Sequence, residues 1–324
     1  MRTGFDATSS GYCIAVSAVA KNSSIPRLSI VVPVGVDTEA FEATLLSVLE
    51  NRPVGSEILV AHDGSYQDPF DLADEVRFVT TTSDSMVDQV AHSTRQARGR
   101  FVHVLAPGLL ASCDWADSAL GQFERQETAV VAPVIRDGKT IAAAGWSDTS
   151  RRLFQPIAAG QRSIDRNDAS RVLGAYLQAS FWRRDVLRSI IAAFDTEVIE
   201  EANYAYGRLL IASGWSCALA TNCEVLTPNS AAFAADSGYG RGQRTWAIKK
   251  AIDPSTQPVS WLQLLPEIFR PAGFAEKLGQ INGRSLLANI KARTHVDLVV
   301  LPGDQPTVVK MPSRQQRDRT RRAA

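Results

Sequence analysis

EILVAHDGSYQDP, residues 57 to 69, decides how the rest of the chain is read. Ile58 to Ala61 are apolar, as in a strand buried on both faces. The strand empties into His62-Asp63-Gly64-Ser65, so a carboxylate stands at its carboxyl end and a glycine follows that allows a sharp turn and close backbone approach. In an open α/β sheet the ligand crevice lies outside the carboxyl ends of the strands. Asp63 and Gly64 are therefore candidate binding residues, although Asp63 could also simply cap its own turn.

Working outward, LSIVVPV (28 to 34) reads as a buried strand closed by proline, and Asp37-Thr38 offers a helix N-cap. Phe41, Leu45, Val48 and Leu49 then fall on one helical face. Downstream, the pattern predicts a strand at 77–79, a helix from Met86 to Ala97 with Met86, Val90 and Ala97 inward, a strand from Phe101 to Leu105, a helix from Trp115 to Phe123 and a strand at 129–135. Strands alternating with helices predict an α/β fold with a mostly parallel sheet and helices on both faces.

Residues 136 to 172 are mixed in character and read as loops or a β-ribbon over the sheet. GAYLQASFW (174 to 182) reads as a strand, Arg184 to Ala193 and Glu200 to Ser213 as helices, and WSCAL after Gly214 as a strand. Beyond Pro228 the sequence predicts a mainly helical appendage with helices at Gln243–Ile252 and Ser260–Phe269, the second interrupted by Pro266. The implied organisation is a flexible leader over 1–26, a sheet domain over 27–228, the appendage over 229–303 and a disordered basic tail over 304–324.

The bulk numbers agree with one main globular domain and an addition. The chain has 324 residues, 45% hydrophobic and 21% charged. Its net charge is +1, yet Ser313 to Ala324 alone holds five arginines against one aspartate. That run has no aromatic residue on which bases could stack, so no specific nucleic-acid partner is expected. Four cysteines, at 13, 113, 217 and 223, have neither metal-ligand nor disulfide-framework spacing. The apolar stretch Cys13 to Ala20 is too short for a transmembrane segment, and a cytoplasmic location is expected.

No G-x-x-x-x-G-K-[ST], G-x-S-x-G or H-E-x-x-H motif is present. GYGRGQR (238 to 244) follows no strand and reads as a turn before a helix; the alternative is that Arg241 and Arg244 grip a diphosphate, since guanidinium pairs well with phosphate oxygens.

Taken together, LSIVVPV, LLSVLENRP with its Leu46-Ser47-Val48, SEILVAHDGSYQDP and the strand after ARGRF resemble the opening of family 2 glycosyltransferases, whose GT-A fold is a nucleotide-sugar-binding α/β sheet. Asp63-Gly64-Ser65 matches the end of the family's D-D-G-S, with His62 in place of the first aspartate. QASFWRRDVLRSIIAAFDTEVIEEANYAYGRLLIASGW is similar to the family's acceptor half. The resemblance spans roughly residues 27 to 228.

The resemblance implies an enzyme of hexosyltransferase type in glycan or polysaccharide biosynthesis, moving a sugar from a nucleotide diphosphate donor to a glycan or other hydroxyl acceptor. Base binding would fall on Pro33, Val34 and Asp63, whose carboxylate can accept from a ring N–H. The family's D-x-D, which holds Mn2+ or Mg2+ against the phosphates, is replaced here by Ala106-Pro107-Gly108. The usual metal ligands are thus absent, and no residue is assigned to a metal; Gly108 still permits a diphosphate to approach the backbone. The general base would be Glu201 or Glu200, with Asn203 in that position if the register slips, and two glutamates opening a helix also favour its dipole. The rival reading is a catalytically degenerate GT-A domain that binds a nucleotide sugar or scaffolds a partner. A nucleotidyltransferase is disfavoured, because the opening strand leads into no glycine-rich phosphate loop.

Overall fold

The computed structural model describes residues 25–149, 152–233 and 238–302. The basic tail and all but the last two residues of the expected leader lie outside them. The first half runs β1 (Leu28–Pro33), α1 (Thr38–Glu50), β2 (Ser56–His62), β3 (Arg77–Thr80), α2 (Met86–Gln96), β4 (Phe101–Val104), β5 (Leu110–Ala111) and α3 (Trp115–Gln122). Next come β6 (Thr128–Asp137), β7 (Thr140–Ala143), β8 (Trp146–Ser147), β9 (Gln155–Pro156) and α4 (Arg166–Ala169). The chain then forms β10 (Phe181–Arg183), α5 (Arg184–Ala193), α6 (Ile199–Ala212), β11 (Ser216–Leu226), α7 (Tyr239–Ile252), α8 (Pro271–Asn282) and α9 (Leu287–Ala292).

The main sheet has the order β3-β2-β1-β4-β10-β6-β11-β5, with β7 hydrogen-bonded to β6. It is parallel from β3 to β4. Beyond β4 it is mixed, because β10 runs against both β4 and β6 while β11 runs parallel to β6. β1 is buried along its whole length. α1 starts where Asp37 accepts a hydrogen bond from the Ala40 amide at 3.0 Å, and it buries Phe41, Leu45 and Val48 as their spacing predicts. In α2 the inward face is Val87, Val90 and Ala91, a rotation that leaves Met86 only half-buried.

The region from 136 to 172 forms the expected ribbon, β7 against β6 and β8 against β9, plus the short α4. The strand expected over 174–182 is confined to Phe181–Arg183. Before it, the Gly174 carbonyl accepts from the Trp146 amide, the Leu177 amide is held by Asn203 Oδ1 at 2.6 Å, and Leu177–Ala179 turn as a 3-10 helix. These long-range partners replace the ladder that an apolar run alone would suggest.

The appendage is helical, with two corrections. GYGRGQR is the first part of α7, not a turn before it: a β-carbon built on Gly242 would stand 2.0 Å from Glu276 O, and one on Gly279 would stand 2.0 Å from Tyr239 O. The glycines are there so that the α7 and α8 backbones can touch. Around Pro266 the predicted helix is a 3-10 helix, Trp261–Glu267.

Candidate functional site

Two cavities concern the site, and the loop after β4 touches a lining residue of each. The first, about 380 Å³, is lined among others by Val34, Thr38, Glu42, Asp63, Tyr66 and Asp84. Asp63 follows β2 directly, and its Oδ1 accepts from Ser65 Oγ at 2.6 Å and from the Ser65 amide at 2.9 Å. The Ser65 hydroxyl, and then its amide, hold the Asp63 carboxyl below the usual carboxylate range. Gly64, at φ +97°, makes the turn. His62 faces the sheet: its Nδ1 accepts from the Gly64 amide at 3.2 Å and its Nε2 lies 3.5 Å from Thr80 Oγ1. It braces the Asp63 turn from behind. Pro33 ends β1 beneath the cavity, in register with Ala61. Sequence reasoning missed Tyr66, whose ring packs edge-on to Phe41 and whose hydroxyl is buried without a hydrogen-bond partner among the described residues. The charged lining residues are all acidic, which suits the N–H edge of a base and not a diphosphate.

Ala106-Pro107-Gly108 links the two sets of lining residues. On one side Pro107 packs on Gly35, where a β-carbon would stand 3.2 Å from Pro107 Cγ. On the other the Ala106 amide donates to the Gln178 carbonyl at 2.8 Å. Gly108 has φ +82°, and its amide donates to Thr44 Oγ1 at 2.9 Å and to Ala40 O at 3.2 Å. That N–H is committed to α1.

The second cavity, about 370 Å³, brings together Glu200, Glu201, Asn203, Arg241 and Arg244, with Gln178 at its base. Glu200 is exposed and makes no hydrogen bond or ion pair among the described residues. Glu201 is buried, and its Oε2 accepts from Thr196 Oγ1 at 3.0 Å and from Arg293 Nη1 at 3.1 Å. Asn203 is built into the wall, accepting from Leu177 and donating through Nδ2 to Gln178 Oε1 at 2.9 Å. Phe154, Tyr176 and Phe233 form an aromatic side, with ring centroids 5.7 Å and 5.4 Å apart along the series. No spacing in the sequence joins these three.

The two arginines differ. Arg241 is buried, donates to the Phe154 carbonyl and lies 5.0 Å over the Phe154 ring. Phe154 itself sits at φ +52°, a costly conformation for an aromatic residue, pinned by Arg241 at its carbonyl and by Asp148 at its amide. Arg244, half-buried, lines the cavity and makes no ion pair among the described residues.

Divalent metal fits this arrangement poorly. The tripeptide after β4 offers no side-chain ligand, and no group of three or more His, Cys, Asp or Glu side chains is placed to hold a metal ion among the described residues. Asp114 occupies the N-cap position of α3 without a side-chain capping hydrogen bond, and Asp117 lies in its first turn.

Among the described residues no helix is long and apolar enough to cross a membrane. No protein-family model matches the chain, and no curated protein matches it in sequence. Solved structures do. Mannosyltransferase PcManGT from Pyrobaculum calidifontis in complex with GDP-Man and Mn2+ aligns at 14% identity over 84% of this chain and 74% of its own, TM-score 0.46. S. aureus TarS 1-349 aligns at 11% identity over 80% and 72%, TM-score 0.45. GalNAc-T7 with UDP, GalNAc and Mn2+ aligns at 12% identity over 85% of this chain, TM-score 0.51. The chain spans 56% of the length of that GalNAc-T7 chain. The likeness establishes the architecture: a mixed α/β, GT-A-like fold with a helical C-terminal part.

Proposed function

We propose that the protein is a family 2-like glycosyltransferase that moves a sugar from a nucleotide diphosphate donor to an acceptor hydroxyl. The observation that carries this reading is that Arg244, Glu200 and Glu201 line one cavity and Asp63 another, and that the Ala106-Pro107-Gly108 loop touches a lining residue of each, Gln178 and Gly35. The base lies over Val34 and Asp63, and the diphosphate reaches past this loop toward Arg244. The tripeptide stands where the family carries D-x-D, so guanidinium charge does the work of a cation at the leaving group. The acceptor oxygen attacks the anomeric carbon and loses its proton to a glutamate; the carbon–oxygen bond to phosphate breaks with inversion, and the nucleoside diphosphate leaves.

Glu201 is the better placed base. Thr196 and Arg293 both engage Oε2, which fixes the carboxylate and leaves Oε1 to accept the proton. Titration with UDP-, GDP- and TDP-sugars, with and without Mn2+, coupled to chromatography of released nucleoside diphosphate, tests the proposal. Metal-independent release supports it, and no binding of any donor overturns it.

A second reading, a degenerate domain that binds donor or partner without turnover, is favoured by the same occupied Oε2 and by the missing D-x-D. Its mark is donor binding with no release.

A further inference from the structure

Between Trp261 and Phe269 the appendage turns apolar side chains outward. Trp261, Leu262, Leu265, Ile268 and Phe269 are 64%, 74%, 60%, 54% and 93% exposed. The 3-10 geometry explains the arrangement, because residues three apart eclipse one another. Leu264 and Glu267 form the buried row, and Leu262, Leu265 and Ile268 form an outer row flanked by Trp261 and Phe269. Solvated chains rarely expose so dense a group of large apolar residues without a partner.

The charge carried by this stretch of chain points to a partner. From Pro254 to Ala292 the exposed charged residues are Arg270, Arg284 and Lys291, all basic. The two acidic residues of this stretch, Glu267 and Glu276, are turned inward at 3% and 1% exposure. A second copy of the chain would set cation against cation. An anionic bilayer accepts both features, with apolar side chains entering the headgroup boundary and arginine and lysine meeting lipid phosphates.

We propose that the Trp261–Phe269 face seats the protein on an anionic lipid surface. This is independent of the sugar-transfer reading, and its test does not use activity. Of the six tryptophans, Trp115, Trp146, Trp182, Trp215 and Trp246 are buried, so quenching by brominated lipid reports on Trp261 in the unaltered chain. The full chain is to be floated with phosphatidylcholine vesicles with and without phosphatidylglycerol. We expect binding to the anionic vesicles, weakened by salt, with Trp261 quenched. The double substitution Leu265→Ser, Phe269→Ser should lower partitioning by about a hundredfold, with circular dichroism confirming an unchanged fold. Equal binding to both vesicle types, undiminished binding of the double variant or an unquenched Trp261 overturns the proposal. A concentration-dependent dimer that the double variant abolishes also overturns it, since the face then belongs to a second copy.

Discussion

Arg293 donates to Glu201 Oε2 at 3.1 Å, joining the end of α9 to the start of α6 across 92 residues of chain. Replacing it with methionine removes the charge that orients the carboxylate while keeping most of the side chain's bulk. We expect turnover to fall about ten- to a hundredfold with donor KM little changed, R293K recovering part of the loss, in steady-state kinetics. Leaving the buried Glu201 with one donor fewer also costs about 1–3 kcal/mol of stability, read from urea midpoints.

Glu200 and Glu201 are separable by amide substitution. Glu201→Gln should reduce nucleoside diphosphate release by about 10²- to 10⁴-fold while donor affinity by calorimetry is retained. Glu200→Gln should have the smaller effect. The reverse ranking would move the base to Glu200.

Arg244→Gln should weaken nucleoside diphosphate binding about tenfold at low salt, with less effect on the free nucleoside, since on the proposed reading the phosphates alone meet the guanidinium. Arg241→Gln should register first in thermal melting, because Arg241 supports the Phe154 turn.

Two glycines should respond differently to alanine. At Gly242 the new methyl group meets Glu276 O, and the α7–α8 contact must open, a loss of about 2–4 kcal/mol. At Gly108 nothing lies within 4 Å of the new methyl group, so only the cost of positive φ remains, about 1–2 kcal/mol. Denaturant titration of both variants checks the ordering.

On the proposed reading, the Asp63 turn would set an acid limit on nucleotide binding. Its carboxyl is held low by Ser65, so the ionised form persists to lower pH than an ordinary carboxylate would allow. Ser65→Ala removes the first cause and should move the acid limb of donor binding upward, toward the ordinary carboxylate value. Calorimetry at several acidic pH values would detect the shift.

The parallel half of the sheet was legible because period and composition agree there: β1, β2 and β4 are short apolar runs with turn residues at their ends. The Asp63 turn was legible for the same reason. Where long-range partners decide, the sequence was a poorer guide. Leu177 leaves the strand because Asn203, 26 residues on, takes its amide. The start of α7 looked like a flexible turn because its glycines are explained only by α8, more than thirty residues away. The second cavity was half legible: its charged residues were singled out, but its aromatic side and the Arg293 contact come from segments that no local pattern connects.

The Glu201–Arg293 pair also bears on synthesis. A nascent chain can complete β1 to β6 and α6 while Arg293 is still inside the ribosome, because the contacts among those elements involve residues already made. The carboxylate that we assign to the base would then lack its Arg293 partner. On the proposed assignment, the Asp63 turn, built on β1, β2 and α1, can therefore form before Glu201 gains its Arg293 partner.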